Sequence, residues 1–374
     1  MQYQYTTSQE LQQQRFIELG YDVRTFEPVK IADYFLGDAW AVFGITSYGK
    51  SILVGNLAVQ LAKHRHVIIF DYNGAYKNLK YVNYRNTDMK FRAINDLVYI
   101  HRFGFKLEDM KNKFDWEMMG FTSNAASLLA SFSKQKLYHQ NNFNKFTDMV
   151  REVKTFGKAE GGETWLATKN SILAKLDVLK SLFVEHCVEI DNLEPARIRY
   201  QGMPLYVKDW KEFVKKHRHI CINMNTEYQP AKAQFIAGKI MNDIEPVLDE
   251  ISPVLIYEEA HELIPKAYDK MPYSMYKLLD FLKEKHKKGV KIILISQSPE
   301  QISELALDEI KRFFFGKLQN IKGSSKLDEI FKLSMALNYN YMDNKREFWH
   351  YSPLYNERGI FQPFDSYTFY EHRK

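Results

Sequence analysis

The sequence predicts an α/β protein with a mostly parallel sheet and a largely helical insertion, on three observations. Short continuous apolar runs, the pattern of strands buried on both faces, alternate with helix-length segments on either side of a long middle stretch. The first of these runs leads into a glycine loop and then a helix. Between residues 91 and 215 the apolar period changes to three and four, the period of helices.

In chain order, Ala39 to Phe43 reads as a buried strand and Ile52 to Lys63 as an amphipathic helix. His66 to Phe70 is a second buried strand. Strand, loop, helix and strand make a βαβ unit, which requires a parallel pair. In the middle stretch, Leu173, Leu176, Leu179, Leu182 and Phe183 form a helical stripe, and Gly161-Gly162 marks a break. The β/α order returns with a strand at His219 to Met224, a helix at Lys232 to Leu248 and a strand at Val254 to Tyr257. A helix at Tyr273 to Lys287, a strand at Lys291 to Ser296 and a last core strand at Phe313 to Leu318 follow. The expected organisation is an N-terminal extension (1–36), a core (37–90 and 216–325), a mostly helical insertion (91–215) and a C-terminal tail (326–374).

Composition narrows the setting. The chain has 374 residues and a formal net charge of +6, a mild basic excess that suits a phosphate-bearing partner such as nucleic acid. Its 24 Tyr and 26 Phe fit an aromatic core first and base-stacking surfaces second. The two cysteines, Cys187 and Cys221, have no metal-ligand spacing and no disulfide framework, which points to a reducing, cytoplasmic setting. Met1 to Arg15 is Gln-rich without the apolar stretch of a signal peptide. No apolar run reaches the roughly 18 residues of a membrane span.

Gly44-Ile45-Thr46-Ser47-Tyr48-Gly49-Lys50-Ser51 matches G-x-x-x-x-G-K-S/T in full, and Ile52 continues it into the helix. The glycines let backbone N–H groups turn inward around phosphate oxygens, and the helix N-terminus adds its dipole. Lys50 is placed to reach the β- and γ-phosphates of ATP, and Ser51 to offer its hydroxyl to Mg²⁺. Val254 to Tyr257 ends in Glu258-Glu259. The first acid is assigned to the metal shell and the second to the attacking water as general base. Such acids also suit a helix start, through the dipole. Ile292 to Ser296 ends in Gln297-Ser298-Pro299, where Gln297 fits a sensor of the γ-phosphate or the water; the same residues also make an ordinary turn.

Together these segments resemble the HerA/FtsK superfamily of DNA-pumping ATPases. Asp71-Tyr72-Asn73-Gly74-Ala75-Tyr76 is similar to the family's D-P-x-G-E-Y, with Ala75 in place of the acid. Glu258-Glu259-Ala260-His261-Glu262-Leu263-Ile264-Pro265 is similar to its E-E-A-H-x-L-x-P. Gly289 to Pro299 is similar to its G-x-x-L-V-L-V-S-Q-R-P, with Ser298 in place of Arg. The resemblance covers most of residues 37 to 325. It implies a RecA-like P-loop NTPase core, a hexameric ring as homo-oligomer, and ATP-driven movement of double-stranded DNA. Should Glu259 not be the base, Glu258 or Asp71 takes its place. Residues 1–36 are too short for the N-terminal β-barrel of full-length HerA, so a minimal motor for genome packaging or transfer is expected.

One departure concerns the basic finger that reaches a neighbour's γ-phosphate. The family's arginine falls at His286, flanked by Lys285, Lys287 and Lys288, and lysine is a poorer fork donor. Either a lysine substitutes or the finger lies elsewhere, with Arg312 and Arg346 as further candidates. The Lys-rich stretch 283–288 also reads as a solvated helix end. Basic clusters at Lys211 to Arg218 and Lys283 to Lys288 are candidate DNA contacts. Competing readings are a nucleotide-switched scaffold, a DEAH-type helicase, for which residues 260–374 lack the paired-arginine motif, and a terminase-like motor, for which the tail lacks an acidic metal cluster.

Overall fold

The computed structural model describes residues 15–33, 37–80, 94, 96–134, 146–155, 163–183, 188–189, 204–224, 230–318, 347–353 and 357–364. Cys187, Arg346 and the Gly161-Gly162 break lie outside these residues. The strands are β1 (Arg15–Asp22), β2 (Pro28–Asp33), β3 (Ala39–Phe43), β4 (Val67–Asp71), β5 (Val98–Ile100), β6 (Val188–Glu189), β7 (Leu205–Tyr206), β8 (His219–Asn223), β9 (Val254–Tyr257), β10 (Lys291–Ser296), β11 (Arg312–Phe315), β12 (Phe348–Ser352) and β13 (Glu357–Pro363). The helices are α1 (Lys50–Ala62), α2 (Lys113–Met118), α3 (Ser123–Lys134), α4 (Phe146–Thr155), α5 (Glu163–Leu179), α6 (Trp210–Lys216), α7 (Pro230–Ile244), α8 (Leu248–Ile251), α9 (Ala260–Leu263), α10 (Tyr273–Glu284) and α11 (Glu304–Leu307).

Eleven strands form one sheet in the order β2-β1-β13-β12-β11-β3-β10-β9-β4-β8-β5. From β11 to β5 every neighbouring pair is parallel, and from β11 to β2 every pair is antiparallel. The parallel strands read as unbroken apolar runs because helices or further strands cover both faces. Alternate residues divide between two cores. Ala41, Phe43, Phe70, Ile222, Tyr257, Leu294 and Phe315 face α7, α10 and the insertion helices. Trp40, Val42, Ile69, Ile256, Ile295 and Phe314 face Leu53, Val54 and Leu57 of α1.

The core elements fall within a few residues of their expected places. The helix expected over Tyr273 to Lys287 is α only to Glu284. Its last turn tightens to a 3₁₀ turn over Lys285–Lys288, and Gly289, at φ 88°, ends it in a left-handed conformation. Two regions differ from the sequence reading. Residues 98–100 belong to the core sheet as its edge strand β5, so the insertion helices α2 to α6 start beyond it. And β11 is not the last core strand: the sheet continues through β12 and β13, near the C-terminus, to β1 and β2 near the N-terminus. These outer strands come from chain ends that only the folded sheet brings together.

This antiparallel extension grips the helix that follows the glycine loop. The Gln60 amide accepts from Glu18 N at 2.9 Å and donates to Glu18 O at 2.8 Å, as a neighbouring strand would. One helical turn earlier, Asn56 donates to Phe364 O at 2.6 Å. A buried ionic cluster also ties β2, β10 and the residue before β3. Lys291, fully buried, contacts Asp38 and lies 3.4 Å from Asp33, with its ammonium 4.0 Å from the centre of the Trp40 ring.

Candidate active site

The C-terminal ends of β3, β9, β4 and β10 converge on one side of the sheet, where ligands bind in open α/β folds. The loop from Gly44 to Gly49 joins β3 to α1. Two of its residues have left-handed backbone, Gly49 at φ 105° and Ser47 at φ 64°. Gly49 caps α1 without a side-chain acceptor, and no acid occupies the first turn. The first-turn amides of Lys50, Ser51 and Ile52 therefore face out of the helix start, a natural anion cradle. Lys50 Nζ folds back over the loop, donating to Gly44 O at 2.6 Å and Ile45 O at 3.2 Å. Burial lowers its pKa, and the nearby Glu259 and Glu258 oppose that shift.

Ser51 Oγ lies 3.5 Å from Glu258 Oε1, across 207 residues of sequence. Glu258 is buried at the end of β9, next to Asp71 at the end of β4. Burial first, then the charge of Asp71, pushes Glu258 well above the usual carboxylate range, and burial raises Asp71 too. The crowded pair thus favours sharing a proton, and a cation would relieve the same repulsion. A hydroxyl and carboxylates are hard oxygen donors, the set Mg²⁺ takes alongside substrate phosphates. Among the described residues no three His, Cys, Asp or Glu side chains form a metal-holding group. Ser51 and Glu258 are the hydroxyl and carboxylate that could hold such an ion beside substrate phosphates.

Asp71 is fully buried and its oxygens accept from Ala75 N and Tyr76 N, both at 2.9 Å. It folds residues 71–76 into a tight loop, with Gly74 at φ 69°. That loop delivers Asn73, whose backbone N–H donates to Glu258 Oε2 at 2.9 Å and whose amide donates to Glu259 Oε1 at 3.0 Å. Glu259 itself has left-handed backbone, φ 46°, at the start of α9. For a residue with a Cβ this costs about 1 kcal/mol or more, and such strain gathers at functional positions. Its Oε2 lies 3.4 Å from His261 Nδ1, which in turn is 3.1 Å from Ser296 Oγ. Gln297 is exposed, one residue past Ser296, which is in register with Phe43 just before the loop.

The structure therefore brings Gly44 to Ile52, Asp71, Glu258, Glu259 and Gln297 to one end of the sheet. The described basic-finger candidates stand away from that end. Arg312 is corrected: it is fully buried, bonded to Glu357 on β13 and 5.7 Å from the centre of the Trp40 ring, so it faces no neighbour. Lys285 pairs with Glu245 at 3.5 Å, and Lys288 pairs with Asp249. Lys287 is exposed, 3.7 Å from Glu284, and His286 Nδ1 lies against Leu282 O at 2.8 Å.

Two residues escaped sequence reading, Asn73 and Gly316. Asn73 sat at a variable position of a motif. Tyr48, named with the loop but given no separate role, is buried, packed edge-on against Phe348 with ring centres 5.7 Å apart. Burial, then Glu347, pushes its hydroxyl up to about 12. Gly316, just past β11, donates to Phe43 O at 2.7 Å, and Lys317 O accepts from Ile45 N at 2.8 Å. The strand after the loop's own strand thus braces the loop from outside, which no local pattern announces.

Residues 28–186 match the family model described as Helicase HerA, central domain. Curated proteins offer no match. Among solved structures, VirB4 of Thermoanaerobacter pseudethanolicus is similar at a TM-score of 0.56 and 14% identity, over 95% of this chain and 98% of that one. The bacterial conjugative coupling protein TrwBdeltaN70, in its unbound monoclinic form, is similar at a TM-score of 0.55 and 12% identity, over 96% of this chain and 92% of that one. Its trigonal form in complex with sulphate gives a TM-score of 0.52 at 14% identity, over 87% and 85%. Among the described residues, no helix is long and apolar enough to cross a membrane.

Proposed function

We propose that this chain, a P-loop ATPase of the HerA/FtsK type, hydrolyses ATP to move double-stranded DNA as a ring of identical subunits. The observation that carries this reading is the convergence of Lys50, Ser51, Glu258 and Glu259 from two strands far apart in sequence. In the proposed reaction, the loop amides and Lys50 hold the triphosphate and balance charge that develops on the γ-phosphoryl group. Glu259 takes a proton from the attacking water as its oxygen bonds to the γ-phosphorus, and the bond to the β–γ bridging oxygen breaks. Ser51 and Glu258 would hold magnesium, which would supply charge neutralisation at the phosphates. Gln297 senses the γ-phosphate or the water from the end of β10.

The DNA assignment rests on the family resemblance, on the net charge of +6 and on the likeness to a protein described as a conjugative coupling protein. Contacts to a moving duplex fall mainly on phosphates, so binding is sequence-independent and weakens steeply with salt. Head-to-tail contacts close into a ring when the rotation allows, a hexamer in this reading. Among the described basic-finger candidates, Lys287 and Lys288 are exposed, Lys288 beside Asp249 and Lys287 3.7 Å from Glu284. A reducing cytoplasm suits the chain, with Cys221 a buried free thiol.

The test combines ATPase rates with and without duplex DNA and a mass measurement of the particle. Lys50→Ala and Glu259→Gln should both abolish hydrolysis, and Glu259→Gln should still bind ATP. Nucleotide-dependent assembly without turnover would instead favour a switched scaffold.

A further inference from the structure

Glu259 cannot be oriented by its own backbone alone. Its carboxyl group stands several rotatable bonds from a strained, left-handed main chain at the start of a four-residue helix. Two contacts fix it, one from another segment and one from its own short helix. On one side Asn73 donates to Oε1 at 3.0 Å. On the other, His261 Nδ1 stands 3.4 Å from Oε2, braced by Ser296 at 3.1 Å. Asn73 is distinct in touching both acids, because its main-chain N–H holds Glu258 Oε2 at 2.9 Å while its side chain holds Glu259. It is itself held by the loop that Asp71 closes through Ala75 N and Tyr76 N. A carboxylate only accepts hydrogen bonds, so the amide of Asn73 must present its NH₂ to Glu259.

We infer that Asn73 is a positioning residue for hydrolysis: it sets the Glu259 carboxylate at a fixed offset from Glu258, so that the acid on the water side keeps register with the acid on the metal side. This rests on Glu259 being the general base. The logic is geometric. A base displaced by about 1 Å loses on the order of 100-fold in rate, and a glutamate side chain that loses the bond to one of its two carboxylate oxygens gains access to other rotamers. The Asn73 side chain has no bond to the glycine loop among the hydrogen bonds described, so ATP binding does not depend on it.

The experiment compares Asn73→Ala, Asn73→Asp, Asn73→Gln and Glu259→Gln by steady-state ATPase, single-turnover hydrolysis and direct ATP binding. All four retain the main-chain N–H that Glu258 uses. Asn73→Ala should lower kcat by about 10- to 100-fold with the dissociation constant for ATP within about threefold of the parent. Asn73→Asp, the same shape with a carboxylate facing a carboxylate, should be slower than Asn73→Ala. Asn73→Gln, which restores the amide on a longer stem, should recover part of the loss. Added to Glu259→Gln, Asn73→Ala should change the single-turnover rate less than twofold, because its effect passes through that carboxylate. An unchanged kcat in Asn73→Ala while Glu259→Gln is inactive would overturn the inference and leave the base assignment standing. A parallel loss of ATP affinity, or a full further loss in the double variant, would also overturn it, by making Asn73 a support of the loop. If Glu259→Gln turns over normally, the base assignment itself fails, and that result is read from a separate variant.

Discussion

Replacing Gly316 with alanine tests how the phosphate loop is held. Gly316 is fixed against the end of β3 by its bond to Phe43 O, 2.7 Å, so its backbone has little room to retreat. A methyl group there would stand 2.5 Å from Tyr48 Cδ1, 2.8 Å from Cε1 and 3.2 Å from Phe348 Cε1. Carbon atoms rest about 3.5 to 4.0 Å apart, so the Tyr48 ring must withdraw by about 1 Å. That ring is only 4% exposed and has Phe348 beside it. It sits between Ser47 and Gly49, both with left-handed backbone, so its displacement passes into the loop. Overpacking of this kind costs about 1–3 kcal/mol. If the cost falls wholly on the form that grips phosphate, nucleotide affinity drops by about 5- to 150-fold. The assay is titration with a fluorescent ATP analogue and magnesium. Combining Gly316→Ala with Tyr48→Ala, which removes the obstructing ring, should return affinity to that of Tyr48→Ala alone. A folded Gly316→Ala protein that binds nucleotide within twofold of the parent would refute the bracing argument.

Other expectations concern the supports around the site. Lys291→Met should cost about 3–5 kcal/mol in urea unfolding, because it strands Asp33 and Asp38 without their buried ammonium; adding Asp38→Asn should recover part of it. Burial, then Arg312, pushes His350 down to about 4. Its folded value lies below the unfolded one near 6.5, so the neutral ring stabilises the fold above that pH, and the contribution, at most about 3 kcal/mol, is lost as pH falls through 4. The urea midpoint of His350→Leu should therefore fall less steeply than the parent's across this window. Gln60→Leu removes both bonds to the Glu18 main chain and should cost about 1–3 kcal/mol, with faster amide hydrogen exchange in β1 as the local readout.

The parallel core, the loop from Gly44 to Ser51 and the placing of Glu258 and Glu259 at a strand end were legible before any folding was considered. Each is a local pattern: unbroken apolar runs mean strands covered on both faces, and a glycine loop between strand and helix has few other uses. The tertiary structure alone decided the rest. Residues 1–36 and 326–374 looked like short and mixed ends, yet β1, β2, β12 and β13 extend the sheet and clasp α1 through Gln60 and Asn56. Their pairing joins segments more than 300 residues apart, a separation that hydrophobic period does not encode. Arg312 looked available as a charged residue before a strand, and burial between Trp40 and Glu357 removed it from the surface. Asn73 and Gly316 carried no signal of their own, because what matters in each is the distance to a partner on another strand. Local patterning writes the elements and the chemistry along the chain; long-range packing decides which side chains stand close enough to hold that chemistry in place.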